Sequence, residues 1–136
     1  MGDSGIELIE QWLQASPFVG QLGITVDKLD DGLAVLTLPF RQEHTTIGDV
    51  VHGGAMSSLI DTAATAAAWA GADASGGLRG TTVALTVNFV GAARSLEVTA
   101  TARVVRRGKS LVFVDVEATG ADGGVVAKGL ATYKLG

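Results

Sequence analysis

Cysteine is absent from the 136 residues, which removes disulfides, zinc–thiolate sites and thiol nucleophiles from consideration. Basic side chains are also few. Ten Lys and Arg against fourteen Asp and Glu leave a net charge of −4, a poor surface for wrapping nucleic acid or docking on anionic lipid. Charged residues of either sign make up only 18 %, whereas hydrophobic ones make up 47 %, a balance that excludes a disordered chain. The greasiest run, Ala55 to Ala70, is too short to cross a bilayer and carries Asp61 near its middle. Met1-Gly2-Asp3-Ser4-Gly5-Ile6 opens acidic, without the basic-then-apolar layout of a signal peptide. Ile6 stands where a myristoylation motif wants Ser or Thr. Cytoplasm is therefore the expected compartment. There is no Gly-x-Ser-x-Gly elbow for a serine hydrolase. The two histidines, His44 and His52, stand without clustered carboxylates, so no metal site is expected.

What is present fits one domain over residues 1–136. A chain of this size buries roughly 65–70 % of its unfolded surface, enough for one core without staples. Ile6, Leu8, Ile9, Trp12 and Leu13 recur at helical spacing up to Ser16-Pro17. Leu22–Leu29 and Leu33–Phe40 have the pattern of two strands joined at Asp30-Asp31-Gly32. Arg41–Val51 is expected to be a polar loop. From Gly53 to Ala70 runs a helix with no Lys, Arg or Glu, and a helix apolar on nearly all sides is a buried one. Its many Ala and Gly residues predict a close approach by a sheet. The Gly76-Gly77-Leu78-Arg79-Gly80 stretch has the composition of a connection. A strand through Val83, Leu85, Val87 and Phe89 follows, then strands over Leu96–Val105, Leu111–Ala118 and Val125–Leu135. The expected fold class is α+β, an antiparallel sheet around one long central helix.

The informative segment is Val51-His52-Gly53-Gly54-Ala55-Met56-Ser57-Ser58-Leu59-Ile60-Asp61-Thr62-Ala63. Gly53-Gly54 opens a buried helix, and either close backbone packing or a ligand explains a glycine pair there. His52 suits a helix-start residue whose ring bonds a carbonyl. Asp61 is harder to account for structurally, because a carboxylate among apolar groups costs several kcal/mol unless paired or hydrogen-bonded. No cation lies one turn away. Ser57, Ser58 and Thr65 lie at i−4, i−3 and i+4, a narrow polar stripe. The core face is predicted on Met56, Leu59, Ile60, Ala63 and Ala67. Either the hydroxyls satisfy Asp61, or it lines a water-accessible pocket and acts chemically.

His52-Gly53-Gly54 followed by Leu59-x-Asp61-x-Ala63 resembles the signature of hotdog-fold thioesterases of the phenylacetate-degradation type. Leu22-Gly23-Ile24, Thr82-Val83, Gly108-Lys109-Ser110 and Ala127-x-Gly129-x-Ala131-Thr132 fit the same pattern, so the resemblance covers nearly the whole chain. It implies the hotdog fold and hydrolysis of an acyl-coenzyme A thioester, with no cofactor beyond the coenzyme A of the substrate. It assigns the Gly53 amide to the oxyanion, and Asp61 to a general base or nucleophile. Thr65 would hold water one turn after the acid, and His52 belongs to the same signature. Position 46 is Thr where the family commonly has Asn, and Ala84 stands where some relatives place Ser. Gly54, Thr82, Val83 and Ala84 fall at substrate-contacting positions. Ala66 replaces the His that hotdog hydratases carry five residues after their Asp, which disfavours hydration of enoyl thioesters. The departures at 46 and 84 motivate an alternative, a non-catalytic acyl-CoA binding or sensing module.

Gly53 and Asp61 are separated by about 12 Å of helical rise, too far to meet at one carbonyl. Two chains with antiparallel helices across a two-fold axis would bring Gly53 of one beside Asp61 of the other. A homo-oligomer is expected, a dimer of dimers given the apolar residues on both faces of the later strands. Arg106-Arg107-Gly108-Lys109, the densest basic run, suits either a solvated turn or a clamp for coenzyme A phosphates. Arg79 and Arg94 are weaker candidates for the same task.

Overall fold

The computed structural model describes residues 2–77 and 79–136, leaving Met1 and Leu78, with the part of the 76–80 connection that Leu78 forms, outside the described residues. Helix α1 (Gly2–Ala15) buries Ile9 and Leu13 and leaves Trp12 partly exposed. Its Gly5 is pressed against the Trp69 carbonyl at the far end of the central helix, leaving no room for a Cβ. Ser16-Pro17 does end this helix, but it also starts a second one, α2 (Pro17–Leu22). Ser16 caps it by accepting from the Val19 amide, and Pro17 supplies a pre-set φ at its first turn. Gly23 then closes α2 in the left-handed region at φ 75°. The expected strand at Leu22–Leu29 is therefore shorter: β1 spans Thr25–Asp30, and Leu22 belongs to a helix.

Strands β1 and β2 (Leu33–Leu38) pair antiparallel through a turn in which Gly32 takes φ 67°. Pro39 lies just past β2 rather than inside it. The expected polar loop from Arg41 contains a single 3-10 turn (Gln42–His44) and a small ribbon of β3 (Thr45–Ile47) and β4 (Val50–Val51). Helix α3 (Gly53–Trp69) follows, then β5 (Gly80–Phe89), β6 (Val98–Arg107), β7 (Leu111–Gly120) and β8 (Val125–Leu135). The six long strands form one antiparallel sheet in the order β1-β2-β6-β7-β8-β5.

The sheet packs its inner face on α3, the hotdog arrangement. Alternation places Val98, Ala100 and Ala102 of β6 inside, with Val112, Val114 and Val116 of β7. Against them lie Met56, Leu59, Ile60, Ala63 and Ala67, all buried on the predicted core face. Each fully buried Leu or Ile contributes about 1.5–3 kcal/mol. The small residues have the expected use: a Cβ on Gly129 would stand 2.7 Å from Ile60 Cγ2, so the helix rests almost on the β8 backbone.

Strand β5 is the sheet edge beside β8. Its simple alternation is broken by a bulge between Thr82 and Ala84. Thr82 therefore turns inward with Leu85 and Val87, while Val83 is 52 % exposed and Phe89 51 % exposed.

A candidate active site at the two ends of one helix face

At the N-terminus of α3, His52 is the capping residue, with an extended backbone and its Nδ1 accepting from the Gly54 amide at 2.7 Å. Accepting there leaves the ring proton of neutral His52 on Nε2. The Ala55 and Met56 amides reach the His52 carbonyl at 3.0 and 3.1 Å. Among the described residues the Gly53 amide has no partner, so one of the orphan N–H groups of the helix end is free where the macrodipole is positive. Gly53 opens onto a depression of about 410 Å³ shared with Thr46, Met56, Phe89 and Val90. A Cβ at Gly53 would approach Phe89 Cζ to 3.2 Å. The structure thus brings Thr46 and Gly53 together, whereas Gly54 has its amide already engaged.

Two turns along, Asp61 is half-buried in an apolar stretch. Its hydroxyl partner is not one of the helix serines. Ser58 Oγ donates to the Gly54 carbonyl at 2.8 Å and Thr62 Oγ1 to the Ser58 carbonyl at 2.7 Å, each bonding back along its own helix. The partner is Thr82, whose Oγ1 donates to Asp61 Oδ1 at 2.7 Å from strand β5. Among the described residues Oδ2 accepts no hydrogen bond.

Asp61, Thr65 and Trp69 follow at i, i+4 and i+8 on one face of α3. Thr65 and Trp69 line a cavity of about 190 Å³ with Ile9, Trp12, Thr82 and Tyr133. Trp69 Nε1 donates to Tyr133 Oη at 3.1 Å inside it. Burial pushes the Tyr133 phenol above its ordinary range, and the nearby Asp61 carboxylate adds to that, against the pull of the Trp69 hydrogen bond. Tyr133 and Trp69 were not among the expected site residues. The helical half of this pair was readable from the spacing, since Trp69 continues the Asp61–Thr65 stripe. The strand half needed the register, in which Tyr133 lies opposite Thr82.

Val83 and Ala84 lie on the outward-turned part of β5. The basic run divides. Arg107 donates from Nη1 to the Ala68 carbonyl at 2.7 Å and from Nη2 to the Ala70 carbonyl at 3.1 Å, capping the C-terminal end of α3. Burial pulls its guanidinium below the ordinary range, with Asp31 acting in the opposite direction. Its charge is committed to the helix end, where a cation is favoured. Arg106 and Lys109 are exposed. Lys109 shares with Arg79 and Arg107 a groove of about 420 Å³ on the far side of Trp69. Among the described residues no three His, Asp or Glu side chains gather as a metal site would need, and no helix is long and apolar enough to cross a membrane.

The chain is similar to known proteins in sequence and in fold. The family model described as "Thioesterase superfamily" matches residues 48–127, the span that holds Gly53, Asp61 and Thr82. The chain is 30 % identical over 133 residues to acyl-coenzyme A thioesterase 13 of Homo sapiens, covering 96 % of this chain and 93 % of that one. The E. coli PaaI protein from the phenylacetic acid degradation operon superposes with a TM-score of 0.83 at 26 % identity, covering 98 % of this chain and 94 % of its own. The conserved protein PA5202 from Pseudomonas aeruginosa does so with a TM-score of 0.82 at 28 % identity, covering 92 % and 98 %.

Proposed function

This chain belongs to the thioesterase superfamily and is a thioester hydrolase, and we propose that its substrates are acyl-coenzyme A thioesters, with Asp61 and the Gly53 amide as the reacting machinery. The observation that carries the reading is Asp61 itself: a carboxylate in the apolar middle of α3, with one oxygen fixed by Thr82 and the other unoccupied. The oxygen that Thr82 leaves open is available to a reacting water. The human relative is named for acyl-coenzyme A thioester hydrolysis, which supports the same substrate class here.

In the proposed reaction a water bonds its oxygen to the thioester carbonyl carbon and gives its proton to Asp61 Oδ2. The carbonyl oxygen becomes an oxyanion facing the free Gly53 N–H, at the positive end of α3. Collapse breaks the C–S bond, and the thiolate leaves with the proton that Asp61 returns. If Asp61 attacks directly, Oδ2 bonds to the carbonyl carbon as the C–S bond breaks and coenzyme A leaves as the thiolate; water then cleaves the mixed anhydride to the free acid and the Asp61 carboxylate, and the remaining water proton goes to the thiolate. Thr65, one turn on, is the residue proposed to hold the water; His52 engages the Gly54 amide, which leaves that of Gly53 as the donor at the helix end.

Because Gly53 and Asp61 of one helix lie about 12 Å apart along its axis, the site is proposed to form between two chains with antiparallel helices. The edge strand β5 supplies the pairing surface through Val83, Phe89 and the adjoining Val90, exposed by 52, 51 and 58 %. A second pairing of such dimers would cover further apolar residues on the outer face of the sheet. In that assembly the coenzyme A phosphates reach cations of either chain, and Arg106 and Lys109 are the two of their run whose charges are uncommitted.

Asp61→Asn tests the assignment. Thiol release from a panel of short, medium, long-chain and aromatic acyl-CoAs is expected to fall at least a thousandfold with the oligomer intact. Unchanged turnover would remove Asp61 from the chemistry. Tight binding of several thioesters by the wild-type protein with no thiol release would instead favour the binding-module alternative.

A further inference from the structure

We propose that Trp69 is the end wall of the acyl subsite and sets the longest acyl chain this protein accepts, an inference that rests on the acyl-CoA reading above. The cavity of about 190 Å³ begins where Asp61 ends: Thr82, which holds the carboxylate, and Thr65, one turn beyond it, are both in its lining. A thioester carbonyl at Asp61 therefore has this cavity directly beyond it for whatever the carbonyl carries. Trp69 stands at the next turn of the same helix face. Trp69 also lines the groove of about 420 Å³ that holds Arg79 and Lys109, so it is common to both spaces.

Three contacts fix the wall in place. Trp69 is 3 % exposed. Its Nε1 is held by Tyr133 Oη at 3.1 Å, and Tyr133 is in turn seated against Gly80, where a Cβ would stand 2.5 Å from the tyrosine Cε1. Its backbone carbonyl is pressed by Gly5 of α1, which also brings Trp12 and Ile9 over the cavity. A wall anchored on a sheet, a second helix and its own helix does not yield to a longer tail.

The size follows. By volume, about 190 Å³ has room for about eight carbons, since about 150 Å³ admits a six-carbon ring. Thr65, Thr81, Thr82 and Tyr133 bring polar atoms to these walls, so each methylene buried there is expected to raise kcat/KM by at most about fourfold. A tail in this cavity leaves the phosphates of the same thioester at the other end of the molecule, so Lys109 would meet the phosphates of a thioester bound at another chain's site.

The test is the acyl-length profile of kcat/KM for acetyl-, butyryl-, hexanoyl-, octanoyl-, dodecanoyl- and palmitoyl-CoA. The wild-type profile is expected to climb to about eight carbons and fall at least tenfold by dodecanoyl. Trp69→Leu is expected to move the maximum to dodecanoyl or beyond. Tyr133→Phe, which keeps the ring and releases the indole, is expected to raise the dodecanoyl-to-octanoyl ratio by a smaller factor and serves if Trp69→Leu does not fold. A wild-type profile flat from octanoyl to palmitoyl overturns the inference, as does an unchanged profile in a folded Trp69→Leu. Both results leave the hydrolase reading intact. Failure to hydrolyse any of the six, or an aromatic acyl-CoA assayed beside them, overturns that reading, and the inference with it.

Discussion

Thr82 and Asp61 are 21 residues apart in sequence and joined by a hydrogen bond of 2.7 Å that ties the edge strand β5 to the middle of the buried helix. The bond orients one carboxylate oxygen and leaves the other open. It depends on the bulge between Thr82 and Ala84, because without the extra residue Thr82 would share the outward face of its neighbours. The same irregularity that breaks the strand's alternation thus aims the group that holds the acid.

Thr82→Val keeps the shape of the side chain and removes the donor. A hydrogen bond to a charged group is worth about 1.5–3 kcal/mol, so kcat is expected to fall about ten- to hundredfold with KM little changed. Thr82→Ser, which restores the hydroxyl, is expected to recover most of the loss. Steady-state kinetics of the two variants decide it: equal rates in Val and wild type would show that Asp61 needs no such support.

The central helix was legible because composition alone identifies it: small and apolar residues on every side, without Lys, Arg or Glu, and glycines at its start. Its core face over Met56, Leu59 and Ile60 followed from ordinary helix rules, whereas the His52 ring, expected on a carbonyl, caps the helix by accepting from the Gly54 amide. What was not legible depends on pairing between distant segments. No local pattern announces the bulge at Thr82 or the register that sets Tyr133 opposite it. Ser16-Pro17 was ambiguous in a different way, since the residues that stop one helix also cap and start another. Arg107 looked like its neighbours Arg106 and Lys109. A second bulge, between Val104 and Arg106, precedes it in β6, and Arg107 ends up against the α3 carbonyls, half-buried where its neighbours are exposed.

That division of the basic run separates two kinds of effect. Arg107→Ala strands the Ala68 carbonyl and weakens the hold on that of Ala70, and is expected to cost about 1–3 kcal/mol in chemical denaturation. Replacing Arg106 and Lys109 together by Ala is expected to leave stability within about 0.5 kcal/mol. If these two meet phosphates, KM for acyl-CoA rises several-fold and loses its dependence on ionic strength. A KM unchanged by the double replacement would take both residues out of substrate binding.

Tyr133 is the only tyrosine, and its phenol is held above its ordinary range chiefly by burial, with Asp61 adding to the shift. A raised value means that the folded protein keeps a proton which the unfolded chain releases near pH 10. The stabilisation is complete below that point and is lost as pH rises through the folded value. Denaturation measured between pH 9 and 11 is therefore expected to show wild-type stability falling more steeply than that of Tyr133→Phe, by at most about 1.4 kcal/mol per pH unit. Parallel curves would mean that the phenol titrates alike in both states.

The shared-site geometry can be tested without measuring a distance. Gly53 is the first residue of α3 after its cap, and His52 before it is extended at φ −65°, ψ 136°, a backbone that tolerates a following proline. Gly53→Pro therefore removes the free N–H while leaving the helix start in place, apart from a small shift of the Phe89 ring that stands 3.2 Å from the added Cβ. Loss of an oxyanion donor is expected to lower kcat about 10²–10³-fold, and Asp61→Asn abolishes turnover by removing the base. Each pure variant is then nearly inactive. If every site takes Gly53 from one chain and Asp61 from its partner, a mixed pair holds one site with both groups intact and one with neither. Unfolding equal amounts of the two variants together and refolding them is expected to restore about a quarter of wild-type activity, since half of the pairs are mixed and half of their sites are whole. Were both groups drawn from one chain, every site in the mixture would lack one of them, and mixing would restore nothing.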